Sequence, residues 1–304
     1  MVTRMEPGTH HLSDLPGSVG SHDGSDKLGG DDTDPVASWG TALRHTRFGP
    51  FEMVGTTGST NDDLVARTAG PAGDGLVLAT DHQTAGRGRL DRRWEAPAGT
   101  NLTFSTLLRP EWLTAPDEGS PDRCGLVTSA LAVSVAEVLE TLGLDAAVKW
   151  PNDVLLVGEH PGKVGGILAE LVTGERPAII VGLGLNVGWP PPELAISDEP
   201  VPPGATSLAR AGVSADRWRV MVDVLVAFDR QLATLDSPDG PERLRQDHLV
   251  TSATVGSRVR VEQASGDLIG EAVDLTVDGG LVVVPDGGDP VEVHAGDVTH
   301  LREG

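Results

Sequence analysis

Lysine occurs at only three positions in this 304-residue chain, Lys27, Lys149 and Lys163, against twenty arginines. Two of the three fall in adjacent motifs, Lys149-Trp150-Pro151-Asn152-Asp153 and Gly162-Lys163-Val164-Gly165-Gly166. Lysine is a compact charge on a flexible stem, whereas arginine is a broad planar fork. A position that keeps lysine among Gly, Asn and Asp reads as a tight anion site. Lys163 in particular suits negative charge developing on oxygen in a transition state. The segment is not a P-loop, because no Gly-x-x-x-x-Gly-Lys-Ser/Thr is present. Asn152 and Asp153 could hydrogen-bond a ligand or hold Mg²⁺, which prefers oxygen donors; a plain turn between strands is the alternative. A second cluster, Gly86-Arg87-Gly88-Arg89-Leu90-Asp91-Arg92-Arg93-Trp94, puts four arginines into seven positions. Its glycines let backbone approach a ligand, and guanidinium groups hold phosphate oxygens by paired hydrogen bonds. We expect this loop to be mobile alone and to order over a bound phosphate ligand. A third segment, Gly182-Leu183-Gly184-Leu185-Asn186, ends an apolar strand. It lacks the third glycine of the dinucleotide fingerprint and no helix is expected after it.

These motifs need a scaffold, and the patterning supplies one. Ser59-Thr60-Asn61-Asp62-Asp63 reads as a helix start, capped by Ser59 or Thr60 with acids in the first turn. Residues 125–142 and 215–235 carry apolar side chains at helical spacing, and 101–108 alternates like a strand. Strand-like runs follow at 146–157, 163–173 and 177–187. Parallel neighbours need a crossover of about a dozen residues or more, so these closely spaced runs predict an antiparallel meander. The class is therefore α+β and not a doubly wound nucleotide fold. From about 251 the texture changes to short strands between Gly/Asp turns, which predicts a small β-barrel or sandwich. Residues 1–38 hold seven acids, two bases and little to bury. The expected division is a disordered acidic tail over 1–38, a catalytic unit over 39–250 and a β-domain over 251–304.

Composition excludes several function classes. Cys124 is the only cysteine, so neither an internal disulfide nor a cysteine-based zinc site can form, which fits a reducing cytoplasm. A net charge of −22 disfavours nonspecific nucleic-acid binding, which rests on neutralising phosphates. No uninterrupted apolar run reaches about 18 residues, so no membrane span is expected. The nine histidines show no metal-ligand spacing. Ser59, Ser105 and Ser129 lack a nucleophile-elbow context, which argues against covalent enzyme catalysis.

Five segments, in order, resemble biotin protein ligase. They are Ser59-Thr60-Asn61, Gln83-Thr84-Ala85-Gly86-Arg87-Gly88-Arg89, Lys149-Trp150-Pro151-Asn152-Asp153, Gly162-Lys163-Val164-Gly165-Gly166-Ile167-Leu168 and Gly182-Leu183-Gly184-Leu185-Asn186. Ala295-Gly296-Asp297-Val298 with Leu301-Arg302 is similar to that family's C-terminal β-domain. The resemblance implies a mixed sheet flanked by helices, related to class II aminoacyl-tRNA synthetases, plus an SH3-like C-terminal barrel. It implies activation of biotin by ATP, with Mg²⁺, to biotinyl-5′-AMP, and transfer of biotin to a lysine of a biotin carboxyl carrier domain. Ser59, Thr60, Asn61, Gln83, Arg87, Gly88, Arg89, Lys163, Gly165 and Gly166 are then expected at the biotin. Arg87, Arg89, Arg92, Trp94, Asn152, Asp153, Lys163 and Asn186 are expected at ATP or the adenylate. Lys163 and Arg89 are the expected catalytic pair and Asp153 the candidate Mg²⁺ ligand. Asp91 departs from the family, which usually has Gly there. An acidic tail in place of an N-terminal helix-turn-helix fits a monofunctional enzyme, in the cytoplasm, as a monomer or homodimer. A lipoate–protein ligase and a biotin-sensing repressor are the rival readings; the arginine loop and the KWPND segment favour biotin over lipoate, and the charge argues against DNA.

Overall fold

The computed structural model describes residues 35–90, 92–114, 123–194, 201–263 and 266–301. Most of the expected tail, Asp91 and Arg302 lie outside them. Helix α1 (Pro35–Ala42) straddles the expected boundary at residue 38 and sets Trp39 against Trp218, with ring centroids 5.2 Å apart. The chain continues through β1 (Phe51–Thr57), α2 (Thr60–Arg67), β2 (Val77–Gln83), β3 (Leu102–Leu108), α3 (Glu111–Thr114) and α4 (Cys124–Thr141). It then runs through β4 (Ala146–Lys149), β5 (Asp153–Leu156), β6 (Gly162–Val172), β7 (Ala178–Leu185), α5 (Arg217–Leu235) and α6 (Gly240–Thr251). The last five strands are β8 (Arg258–Glu262), β9 (Leu268–Leu275), β10 (Leu281–Pro285), β11 (Val291–Val293) and β12 (Asp297–His300).

The first seven strands form one sheet in the order β1-β2-β3-β7-β6-β5-β4. Only β1 and β2 pair in parallel; the other neighbours are antiparallel. The expected meander is present, although residues 146–157 make a hairpin, β4 and β5, instead of one strand. Strand β7 is buried at all eight positions, as expected of a central strand covered on both faces. One face packs on α4, which lies against α5 and α6. By length and composition α4 is apolar enough to cross a membrane, with a mean hydropathy of 1.4. Two-thirds of it is buried inside the protein, which makes it the core helix. The other sheet face carries α2, whose Leu64 packs with Leu76, Leu78, Leu107 and Ile180.

The last five strands form a separate antiparallel sheet, β11-β10-β9-β8-β12. Strand β8 alternates exposed and buried residues, the mark of a sheet with one solvated face. Its small core includes Val259, Val261, Leu281, Val283 and Val298, and also Trp150 from the hairpin turn between β4 and β5. The Trp150 indole donates to Gly279 O at 2.9 Å. Trp150 thus joins the large sheet to the C-terminal one.

Candidate active site

A cleft of about 420 Å³ opens over the β7 and β6 side of the large sheet, a size that suits a small-molecule ligand. One wall is the start of α2. Ser59 caps the helix by accepting from Asp62 N, and Thr60 and Asn61 are buried behind it. Gln83 Oε1, at the end of β2, accepts from Thr60 N at 2.8 Å. Ser105 Oγ, on β3, donates to Asn61 Oδ1 at 2.7 Å and lies 2.6 Å from Thr60 Oγ1. These buried polar groups satisfy one another, as desolvated hydrogen-bonding groups must.

The floor is backbone. A Cβ at Gly182 would overlap Asn61 and Ser105, and one at Gly184 would overlap the indole of Trp94. A Cβ at Gly166 would come within 3.3 Å of Lys163 and Trp94. Glycine is needed here for close approach of neighbouring groups. Lys163 and Gly166 reach the same cleft despite their odd spacing, because the β5/β6 register slips by one residue between Val154 and Leu155. Such a bulge re-aims side chains. The same slip turns Gly165 away, toward Leu185 and Val154. Gly165 packs strands and does not line the cleft, contrary to the expectation that placed it at biotin.

The arginine loop folds back on itself: Gly88 N donates to Arg92 O at 2.7 Å and Trp94 N to Gly86 O at 3.0 Å. Arg87 pairs with Asp62 at 2.5 Å and Glu170 at 2.7 Å. The Glu170 hydrogen bond is the main reason its pKa rises above the ordinary guanidinium value. Arg89 donates to Asn152 Oδ1 and to Gly296 O, both at 3.3 Å. Burial pulls its pKa down, partly opposed by Asp297 and Asp153, with Arg92 adding to the fall; a guanidinium remains a cation at neutral pH nonetheless. Arg92 pairs with Asp297 on β12.

Lys163 Nζ lies 2.6 Å from Asp153 Oδ1 and 5.8 Å from the centroid of Trp94, a cation above an aromatic face. Its backbone N–H and carbonyl are both tied to one segment, with Lys163 N donating to Gly204 O at 2.7 Å and Thr206 N to Lys163 O at 3.0 Å. Asn186 borders the cleft, but its amide is committed to the protein. Its Oδ1 accepts from Asn101 Nδ2 at 2.9 Å and its Nδ2 donates to Thr206 O at 2.9 Å. Asn186 therefore acts as a tie behind Lys163. Asn152 lines the cleft while donating to Ile167 O at 2.8 Å. As a Mg²⁺ ligand Asp153 fits poorly: Lys163 already occupies its carboxylate, and among the described residues no cluster of three His, Cys, Asp or Glu side chains could hold a metal.

Every other expected site residue lines this cleft: Ser59, Thr60, Asn61, Gln83, Arg87, Gly88, Arg89, Arg92, Trp94, Asn152, Asp153, Lys163, Gly166 and Asn186. Sequence reasoning missed Ser105, Glu170, Asn101 and Asp297. Glu170 was findable, since it stands four residues past Gly166 in an apolar strand and so shares its face. Asp297 stood in a segment noted only for its likeness to the C-terminal β-domain; nothing local tied it to the cleft, because its pairing with Arg92 spans 205 residues.

The description of the biotin/lipoate A/B protein ligase family matches residues 57–186. The chain is 40% identical over 257 residues to a biotin--[acetyl-CoA-carboxylase] ligase of Mycobacterium tuberculosis, covering 83% of this chain and 89% of that protein. It is 33% identical over 235 residues to a protein of the same name from Paracoccus denitrificans, covering 73% of this chain and 90% of the relative. The solved structure of biotin protein ligase from Aquifex aeolicus in complex with biotin and ATP is similar, with a TM-score of 0.67 and 27% identity, over 84% of this chain and 100% of that one. With a relative this similar over most of both lengths, and with the family's region containing the helix cap, the arginine loop and Lys163, the chain belongs to the biotin/lipoate A/B protein ligase family.

Proposed function

We propose that this chain is an ATP-dependent biotin–protein ligase that acts in two steps. Biotin's carboxylate attacks the α-phosphorus of ATP, giving biotinyl-5′-AMP and pyrophosphate. A lysine amine of a carboxyl carrier domain then attacks the activated carbonyl, loses a proton and expels AMP. The observation that carries this reading is the convergence of Lys163 and Arg89 on a cleft whose far wall holds Thr60, Asn61 and Gln83. Cations at one end suit a carboxylate meeting a phosphate; neutral hydroxyl and amide groups at the other suit a ureido ring. Both steps develop charge on oxygen, so fixed cations matter more than a general base. Lys163, set by Asp153 and by the two backbone hydrogen bonds to residues 204–206, stabilises that charge at the carboxylate and α-phosphate. Arg87, Arg89 and Arg92 close the loop over the adenylate and keep water from it. Trp94 supplies a flat apolar face. Mg²⁺ enters with the phosphates of ATP, as is usual for this ion, since Asp153 is engaged by Lys163. The single cysteine and the use of ATP fit a cytoplasmic enzyme.

Incubation of the chain with biotin, MgATP and a biotin carboxyl carrier domain, followed by mass spectrometry, tests this directly. Addition of one biotinyl group to one carrier lysine is expected. An unmodified carrier, with lipoate accepted in biotin's place, would overturn the assignment.

A further inference from the structure

Glu170 lies on β6 beyond the expected motifs and joins two parts of the site. Its carboxylate accepts from Asn61 Nδ2 at 2.8 Å and from Arg87 at 2.7 and 2.9 Å. Asn61 Nδ2 also donates to Leu168 O at 3.1 Å. Both of these neighbours can only accept, so the amide cannot be turned around, and Asn61 Oδ1 must face Ser105 and the bare floor at Gly182. Ser105 has one proton and gives it to Asn61 Oδ1 at 2.7 Å. At the 2.6 Å contact with Thr60 Oγ1, Ser105 can then only accept. The Thr60 proton is therefore needed at this short contact, in preference to Gln83 Oε1, which lies 3.1 Å from Thr60 Oγ1 and keeps the Thr60 backbone N–H at 2.8 Å. What Thr60 and Asn61 offer the cleft is a pair of oxygen lone pairs. Such a wall fits a ligand that presents N–H donors, as a ureido ring does.

We propose that Glu170 is a positioning residue for biotin: it fixes the proton direction of the Asn61–Ser105–Thr60 chain and tethers the Arg87 loop to the same point. The proposal deepens the ligase reading and rests on it. In Glu170→Gln the side chain can donate as well as accept and carries no charge for Arg87, while its size is unchanged. In biotin-dependent ATP–pyrophosphate exchange by the full chain, E170Q raises the KM for biotin by about tenfold or more, as expected when a buried polar chain loses its fixed partner. Its kcat at saturating biotin and its KM for ATP stay within about threefold of wild type, the pattern of lost ground-state binding. Adding E170Q to Asn61→Ala raises the KM by no more than about twofold, since residues acting through one another are non-additive. Glu170→Asp, which retains the charge, gives a biotin KM between wild type and E170Q. The proposal is overturned if E170Q keeps the wild-type biotin KM, if its effect multiplies fully with that of N61A, or if E170D matches E170Q. Wild-type protein without biotin-dependent exchange would refute the ligase reading and this role with it; normal wild-type exchange beside an unaltered E170Q would refute the role of Glu170 alone.

Discussion

Replacing Lys163 by alanine separates two effects that the geometry assigns to one ammonium group. The first is structural. The Lys163–Asp153 pair is part-exposed, at 37% and 17% of the two side chains, and water screens it. Pairs of this kind contribute about 0.2–1 kcal/mol, so the unfolding free energy of Lys163→Ala should fall by about 1 kcal/mol at most. The second is chemical. Nζ is held by Asp153, and the Lys163 backbone is tied to residues 204–206 by two hydrogen bonds, so its charge is already in place when the phosphate's charge develops. Loss of one such preorganised donor costs about 2.7–4 kcal/mol, or about 10²–10³ in kcat. Biotin-dependent ATP–pyrophosphate exchange at saturating substrates reads this step, and a urea melt on the same samples reads the stability change. Lys163→Arg keeps the charge but brings a longer planar fork into the space beside Trp94, so it should recover only part of the loss. An exchange rate for Lys163→Ala within about threefold of wild type would refute the electrostatic argument.

Three further outcomes follow from the packing. Gly184→Ala places a methyl group where the Trp94 indole sits; overpacking of about 1–3 kcal/mol should lower the thermal midpoint and weaken biotin binding by calorimetry, and unchanged values would show that the floor has spare room. Arg92→Ala removes the pairing of the loop with Asp297 and should increase leakage of biotinyl-AMP into solution, followed by chromatography, with unfolding free energy altered by about 1 kcal/mol or less because the pair is exposed. His248 is buried, and that burial lowers its pKa to about 4. Its folded value lies below the unfolded one, so its contribution is complete above about pH 6.5 and is lost as pH falls toward about 4, by about 3 kcal/mol. Urea melts at pH 7 and pH 4.5 should show a larger drop for wild type than for His248→Leu, and equal drops would contradict the assignment.

Much of the fold was legible because it is written locally. The Ser59 cap, the helical spacing of α4 and α5 and the short gaps between β5, β6 and β7 each have one cheap physical solution. The cleft was legible because its cations and glycines stand out against an acidic, arginine-rich background. What escaped depends on pairing between distant residues. The bulge opposite Val154 and Leu155 decides that Gly166 faces the ligand and Gly165 does not, and a strand's own alternation cannot reveal it. Asn186 drew notice as a motif residue, yet its hydrogen bonds to Asn101 and Thr206 make it a tie. Trp150 stands in the same motif as Asn152 and Asp153, yet belongs to the C-terminal core. Strand β1 and helix α6 left weak patterns, since most of β1 is only half-buried and α6 has few apolar positions.

The loop that covers the cleft is fastened to the small C-terminal sheet, through Arg89 to Gly296 and Arg92 to Asp297. That sheet has a far smaller core than the main one, and local opening begins where buried contacts are fewest. Warming would therefore free the Arg89–Arg92 end of the loop first, while Arg87 still holds Asp62 and Glu170 on the intact main unit. How well the enzyme retains its reactive intermediate on warming is then set in part by the small sheet, which holds neither Lys163 nor the floor on which the ligand rests.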